Sequence, residues 1–258
     1  MDREGWRRVF ELAHEAVFGK NCVCAACGED VFSDALFCER CLAALPANAG
    51  YVCSKCGRAI GADYPVCLEC KANMPLFDAA RSAFRYEGGV VGLVKKCKTG
   101  GRYLAEAFAE RLAPLLARAF PDADLLVCVP MTDAARRKRG YNQSDLLASA
   151  LSRRSGVAYA PDTLVKLRDT AEQKGLSAAE RAKNLHGSFR VHERALCRGR
   201  HIVIVDDVLT TGSTANAIAR ALRGAGAARV YALTAASVPF RERQRSAEEA
   251  LKNPADRP

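Results

Sequence analysis

Asp206 and Asp207 follow the β-branched run Ile202-Val-Ile-Val205, and Val208-Leu-Thr-Thr-Gly-Ser-Thr214 comes directly after them. An unbroken β-branched run suits a parallel strand buried on both faces, and the carboxylates fall where such a strand is expected to end. Ala215 to Arg223 then reads as a helix. The turn between strand and helix offers phosphate backbone N–H groups, hydroxyls and a helix N-terminus, and Gly212 allows close approach. Carboxylates repel phosphate, so Asp206 and Asp207 suit sugar hydroxyls or Mg²⁺ instead. The chemistry expected is phosphate binding at the carboxyl edge of an α/β sheet.

Cysteines form the second chemical set. Nine of the 12 precede residue 71, and eight of those fall in pairs: Cys24-x-x-Cys27, Cys38-x-x-Cys41, Cys53-x-x-Cys56 and Cys67-x-x-Cys70. Ten residues separate the pairs within each half, and the second half repeats the first at a spacing of 29. Gly28 and Gly57 follow the leading pairs, where a tight turn lets N–H groups face thiolate sulfur. This predicts two tetrahedral, structural Zn²⁺ sites, each closed by four thiolates. A segment so poor in large apolar residues needs the metal to fold. Sequential pairing puts Cys24, Cys27, Cys38 and Cys41 in one site and Cys53, Cys56, Cys67 and Cys70 in the other. A cross-braced pairing is the alternative, and Cys22 is an alternative ligand to Cys24.

The elements that must position these groups are legible in outline. Strands are expected over Ala80–Tyr86, Leu125–Val129, within Val157–Leu167, and over Arg229–Ser237. Helices are expected over Val90–Lys98, Leu104–Phe120 and Asp145–Ser155, the last capped by Asn142 or Ser144. An amphipathic stripe, Trp6, Val9, Phe10, Ala13 and Val17, suggests an N-terminal helix. Hydrophobic residues make up 49% and charged residues 26%, with no apolar run long enough for a membrane span, so a soluble, globular chain is expected. No signal-type apolar core follows the N-terminus, so the expected location is cytoplasmic, where clustered cysteines favour metal over disulfides. A formal net charge of +10 points to an anionic partner.

Val203-Ile-Val-Asp-Asp-Val-Leu-Thr-Thr-Gly-Ser-Thr214 resembles the phosphoribosyl-pyrophosphate (PRPP) signature of type I phosphoribosyltransferases. Pro130-Met-Thr-Asp-Ala-Ala-Arg-Arg-Lys-Arg-Gly-Tyr-Asn-Gln143 is similar to a block of the ComF family of competence proteins, with Tyr141 in a Phe position and Thr132 and Asp133 replacing a more basic start. The stretch from Arg168 through Gln173, Gly175, Leu176, Ser177, Glu180, Arg181, Asn184 and Gly187 to Phe189 matches the same family, whose active relatives close a hood over PRPP here. The resemblance implies a type I phosphoribosyltransferase-like parallel sheet flanked by helices, with an N-terminal double zinc ribbon, and it supports sequential zinc pairing. The implied organisation is an N-terminal helix (1–21), the ribbon (22–73), the phosphoribosyltransferase-like domain (74–240) and a charged tail (241–258).

On this resemblance, Thr210, Thr211, Gly212, Ser213 and Thr214 hold the 5′-phosphate of PRPP, and Leu209 belongs with them to the PRPP-binding residues. Asp206 and Asp207 take the ribose hydroxyls and Mg²⁺. Arg168 and Lys174 of the hood, and Arg136, Arg137 and Arg139, are candidates for the pyrophosphate that leaves. ComF relatives carry a Tyr-x-Gly-Asp-like turn where this chain has Lys98-Thr-Gly-Gly-Arg102, so no role passes to Lys95, Lys96 or Lys98.

Three functions are weighed. The first is PRPP binding joined to the handling of imported single-stranded DNA, in company with a DNA-uptake helicase. The second is nucleic-acid binding itself, by Arg136-Arg-Lys-Arg139 with Tyr141 stacking a base. The third is a transferase acting on a nucleobase or other acceptor, for which no base pocket stands out. Cys97, Cys128 and Cys197 read as packing residues rather than nucleophiles.

Overall fold

The computed structural model describes residues 23–31, 35–168 and 187–240. The expected N-terminal helix, Cys22, Lys174 and the charged tail lie outside the described residues.

Two similar units open the chain. In each, a tight turn carries the first cysteine pair and is closed by a single antiparallel bridge, Val23 with Asp30 and then Val52 with Ala59. A short helix then starts at the second pair: α1 (Glu39–Ala44) after Cys38, and α2 (Leu68–Ala72) after Cys67.

The rest is a five-stranded sheet with helices. Strand β1 (Ala79–Arg85) leads to α3 (Gly89–Lys98) and α4 (Leu104–Ala119). Next come β2 (Leu125–Cys128), α5 (Asp133–Arg139), α6 (Gln143–Ser155) and β3 (Ala158–Tyr159). A 3₁₀ turn at Pro161–Thr163 precedes a small hairpin, β4 (Leu164–Lys166) with β5 (Phe189–Val191), and then α7 (Arg194–Cys197). Strand β6 (His201–Leu209), α8 (Ser213–Gly224) and β7 (Arg229–Ser237) finish it. The main sheet has the order β1-β7-β6-β2-β3, and every pair in it is parallel.

Side-chain alternation divides the core. Val203 and Val205 of β6 face one apolar cluster with Phe108, Leu112, Leu147 and Leu151 of α4 and α6. Ile202 and Ile204 face the other, with Ile218 and Leu222 of α8. Burial on both faces explains the β-branched run.

The zinc-binding units are built into the same two clusters. Cys24, Leu36 and Phe37 pack with Phe84 and Val90, whereas Cys53, Cys56, Cys67 and Cys70 pack with Phe77, Ile202 and Leu209. The second knuckle lies directly on β1: Ala80 N donates to Lys55 O at 2.7 Å, and a Cβ on Gly57 would sit 2.1 Å from Ala80 O. Gly57 also has φ +67, so glycine is required there twice over.

One expectation needs correction. β6 does not end at the carboxylates but runs to Leu209, because β7 continues to offer ladder partners: Asp206 pairs with Thr234 and Leu209 with Ser237. On its other side β6 loses its neighbour at Val205, opposite Cys128, the last residue of β2. The carboxylates therefore stand in a strand with one open edge. That opening is the crevice at the carboxyl side of the sheet.

Candidate functional site

The turn after β6 is built for an anion. Gly212 precedes α8 in the left-handed region (φ +76) and has no side chain to cap the helix; Ser213 N reaches Thr211 Oγ1 at 3.4 Å, and the N–H groups after it in the first turn suit a ligand. Thr211 Oγ1 and Ser213 Oγ lie 2.8 Å apart and fix each other's rotamers. Asp206 and residues Val208 to Ala215 line a narrow depression here. A larger open cleft of about 210 Å³ holds Asp206, Asp207 and Thr214 together with Pro130, Thr132, Asn142 and Ser144. The predicted loop residues and both carboxylates thus share one crevice.

The two carboxylates have different partners. Asp206 Oδ1 accepts from Ser144 Oγ at 2.7 Å and from Asp207 N at 2.9 Å. Asp207 Oδ1 accepts from Val208 N at 2.8 Å, and its Oδ2 meets Lys98 Nζ at 2.6 Å. Desolvation in the crevice, and then the charge of Asp207, push the Asp206 carboxyl up to about 7. Burial alone would lower the Lys98 ammonium, but the charge and hydrogen bond of Asp207 outweigh it and hold the group above its ordinary value.

Lys98 and Ser144 are the residues that sequence reasoning missed. Lys98 had been given no role, and Ser144 was read only as a helix cap. The cap is Asn142, whose Oδ1 accepts from Ser144 N at 3.1 Å while its Nδ2 donates to Val129 O at 2.9 Å. Asn142 thereby ties the end of β2 to the start of α6, and Ser144 is freed to hold Asp206.

Tyr141 requires correction as a stacking residue. It is buried, its hydroxyl donates to Cys97 O at 2.6 Å and accepts from Gly100 N at 2.8 Å, and Arg102 covers its ring at 4.6 Å. It anchors the loop between α3 and α4. Arg136, Arg137 and Arg139 lie exposed on α5, where Arg139 donates to Gln143 Oε1 at 2.7 Å and Arg136 faces Asp145 at 3.9 Å. Arg168 lies beside Ser188, at the edge of the described residues.

The cysteines form two sequential tetrads, Cys24, Cys27, Cys38 and Cys41, and Cys53, Cys56, Cys67 and Cys70, with all four sulfurs of each within 4.8 Å of one another. A zinc tetrahedron with bonds of 2.3 Å has edges of about 3.8 Å. Cys27 to Cys38 at 3.9 Å and Cys56 to Cys67 at 3.7 Å match it, so both tetrads fit structural Zn²⁺ and the cross-braced alternative falls. Gly28 N and Gly57 N close the turns onto the carbonyls of Cys24 and Cys53. The nearest N–H groups to sulfur come instead from Cys38 and Cys67, each 3.3 Å from the first cysteine of its tetrad. Burial would raise Cys24, but N–H groups of Cys27, Cys38 and Ala26 bring it down to about 6, close to the thiolate a metal needs. The two sites differ in access: the second is buried throughout, whereas Cys27 is exposed and Cys38 and Cys41 are half-buried.

Among the described residues no helix is long and apolar enough to cross a membrane.

Comparison with known proteins agrees with this geometry. Residues 97–253 match the family described as "Phosphoribosyl transferase domain", and residues 24–71 match "Double zinc ribbon". The chain is 44% identical over 110 residues to the "DNA utilization protein YhgH" of Salmonella typhi, covering 43% of this chain and 48% of that protein. It is 37% identical over 128 residues to "Competence protein F" of Haemophilus influenzae (48% of this chain, 52% of that protein). It is 27% identical over 150 residues to "Competence protein ComFC" of Bacillus subtilis (57% and 59%). The chain spans about half the length of these curated relatives. The chain belongs to the phosphoribosyl transferase domain family, joined here to a double zinc ribbon, and the relatives it resembles include competence and DNA utilization proteins.

Proposed function

We propose that this protein binds PRPP through the crevice of Asp206, Asp207 and the 210–214 turn, and that it serves the handling of single-stranded DNA taken up in natural transformation. The observation that carries the PRPP reading is the junction of a carboxylate pair with an uncapped helix N-terminus, so that groups suited to sugar hydroxyls adjoin groups suited to phosphate. The 5′-phosphate takes the N–H groups and hydroxyls from Thr210 to Thr214, with Leu209 shaping the wall. Asp206 and Asp207 accept from the ribose hydroxyls. Ser144 and Lys98 hold the two carboxylates in place, and Lys98 keeps a positive charge beside the pyrophosphate. The adjacent carboxylates are hard oxygen donors and fit Mg²⁺, which when bound supplies charge neutralisation for the leaving group. Arg168 and Lys174, the latter outside the described residues, are the proposed partners of the pyrophosphate.

The printed names of the relatives, a competence protein and a DNA utilization protein, support the DNA role. So do the exposed Arg136, Arg137, Lys138 and Arg139 of α5, four consecutive cations suited to a phosphate backbone. A DNA-uptake helicase is the natural partner for such a role, and the thiolate-rich ribbon suits the reducing cytoplasm.

Transfer to an acceptor is the second reading. Phe189 lines both the carboxylate cleft and a larger one of about 700 Å³ with Phe77 and Met74, so an acceptor seated on Phe189 would adjoin the ribose. Titrating zinc-loaded protein with PRPP, with and without Mg²⁺, and following pyrophosphate release with candidate bases tests both readings. Mg²⁺-dependent binding without release supports the first, and base-dependent release supports the second.

A further inference from the structure

Arg58 lies between the second cysteine tetrad and the phosphate turn, and it was not singled out by its place in the sequence. It is 5% exposed, unusually low for an arginine. Its Nε donates to Cys56 Sγ at 3.4 Å, its Nη1 donates to Thr210 O at 3.2 Å, and its Nη2 pairs with Glu69 of α2. Phe240 covers the guanidinium at 5.7 Å, and Phe240 N donates to Ala59 O at 2.9 Å, closing the knuckle over it. One planar group therefore joins a zinc ligand, the ribbon helix and the first residue of the phosphate turn.

The bond to Thr210 O has a directional consequence. The chain has no cis peptide among the described residues, so the N–H of Thr211 points opposite to the carbonyl of Thr210. Holding that carbonyl against the knuckle turns the Thr211 N–H away from it. Thr211 lines the anion cavity between β6 and α8. Any motion of Arg58 rotates this peptide and misaims a donor for phosphate.

The geometry points to Arg58 as a positioning residue that couples the second zinc site to the phosphate turn: zinc held by Cys53, Cys56, Cys67 and Cys70 fixes the knuckle, the knuckle fixes Arg58, and Arg58 fixes the Thr210–Thr211 peptide. Outer partners of metal ligands commonly tune a site in this way, and here the partner reaches into a second site. Among the described residues the first tetrad shows no comparable link: Arg40, beside Cys27, pairs with Glu29 on the surface. The inference rests on the reading of the 210–214 turn as the 5′-phosphate site.

The test uses the full chain carrying both zinc ions, as wild type, Arg58→Met and Arg58→Lys. Ribose 5-phosphate, which engages the phosphate turn without pyrophosphate, and PRPP with Mg²⁺ are titrated by calorimetry. Both ligands lose about tenfold in affinity in Arg58→Met, within the usual range for coupled sites. Arg58→Lys does not restore it, because an ammonium cannot span sulfur, carboxylate and carbonyl at once. Linkage is reciprocal, so ribose 5-phosphate raises retention of one zinc of the two, by the factor with which that zinc raises ribose 5-phosphate affinity, in equilibrium competition with a chelator, in wild type and not in Arg58→Met. A merely structural arginine would change zinc retention equally with and without the sugar phosphate. Unchanged affinity in Arg58→Met overturns the coupling, as does wild-type zinc retention indifferent to ribose 5-phosphate. If Arg58→Met does not fold, the wild-type competition decides alone. Wild type with no affinity for either ligand is a distinct result, which removes the PRPP reading and this inference with it.

Discussion

Lys98 and Asp207 meet at 2.6 Å at the mouth of the crevice, joining the end of α3 to a carboxylate of β6. The Asp207 side chain is 9% exposed and that of Lys98 34%, so the pair is buried on one side only. Lys98→Ala leaves Asp207 without its cation. The expected loss is about 1–2 kcal/mol, below the roughly 3–5 kcal/mol of a fully buried pair because water still reaches the ammonium. Urea unfolding midpoints measure it, and a wild-type midpoint would show that the pair contributes nothing.

Asp206 sets a pH dependence. Its carboxyl is raised from an ordinary aspartate value to about 7 by desolvation and the neighbouring Asp207 charge. Between pH 4 and 7, roughly, the unfolded chain has lost this proton while the folded chain keeps it, so stability falls as pH rises through the window. Above the folded value the loss is complete. Asp206→Asn flattens that slope. A cation bound at the carboxylates favours the ionised form, so PRPP with Mg²⁺ releases a proton on binding near pH 6. Calorimetry in buffers of different ionisation enthalpy reads that proton directly.

Much of this arrangement was legible from local pattern. The β-branched run, the cysteine repeat and the turn before α8 each depend on neighbours close in sequence, and spacing reports those well. What was missed is long-range. Lys98 on Asp207, Ser144 on Asp206 and Arg58 on Thr210 are pairings created by the order in which strands and knuckles pack, and no local spacing encodes them. The extension of β6 through two aspartates ran against β-propensity and was decided by the length of β7. Tyr141 looked available for a base because its neighbours are basic, yet α3 and Arg102 enclose it.

The two zinc ions should leave at different rates. The first tetrad has exposed Cys27 and half-buried Cys38 and Cys41, whereas the second is buried on the same cluster as Phe77 and Leu209. A chelator removes the first ion in a fast phase and the second in a slow one, and only the slow phase accompanies loss of cooperative unfolding. A single phase for both would contradict the difference in packing.

Gly57 tolerates no side chain. A Cβ would meet Ala80 O at 2.1 Å, and φ is +67. Gly57→Ala should cost at least about 2 kcal/mol, from left-handed strain plus displacement of the knuckle from β1. Thermal unfolding with zinc saturating checks it. Gly28→Ala, with the same sign of φ and no atom within 4 Å of its Cβ, should cost less.

The basic face of α5 predicts a salt dependence. If Arg136, Arg137 and Arg139 contact the backbone of single-stranded DNA, their replacement by Gln lowers the slope of log affinity against log salt by about 2, at roughly 0.7 per charge. PRPP affinity at fixed Mg²⁺ falls less than DNA affinity. An unchanged slope would remove α5 from the DNA surface.

The most direct measurement is PRPP binding to the zinc-loaded chain by calorimetry, with and without Mg²⁺, in wild type and in the Asp206→Asn, Asp207→Asn double variant. The account predicts Mg²⁺-dependent binding in wild type, at least tenfold weaker in the double variant, with zinc content unchanged. Equal affinity in the two proteins, or no PRPP binding by wild type, would contradict it.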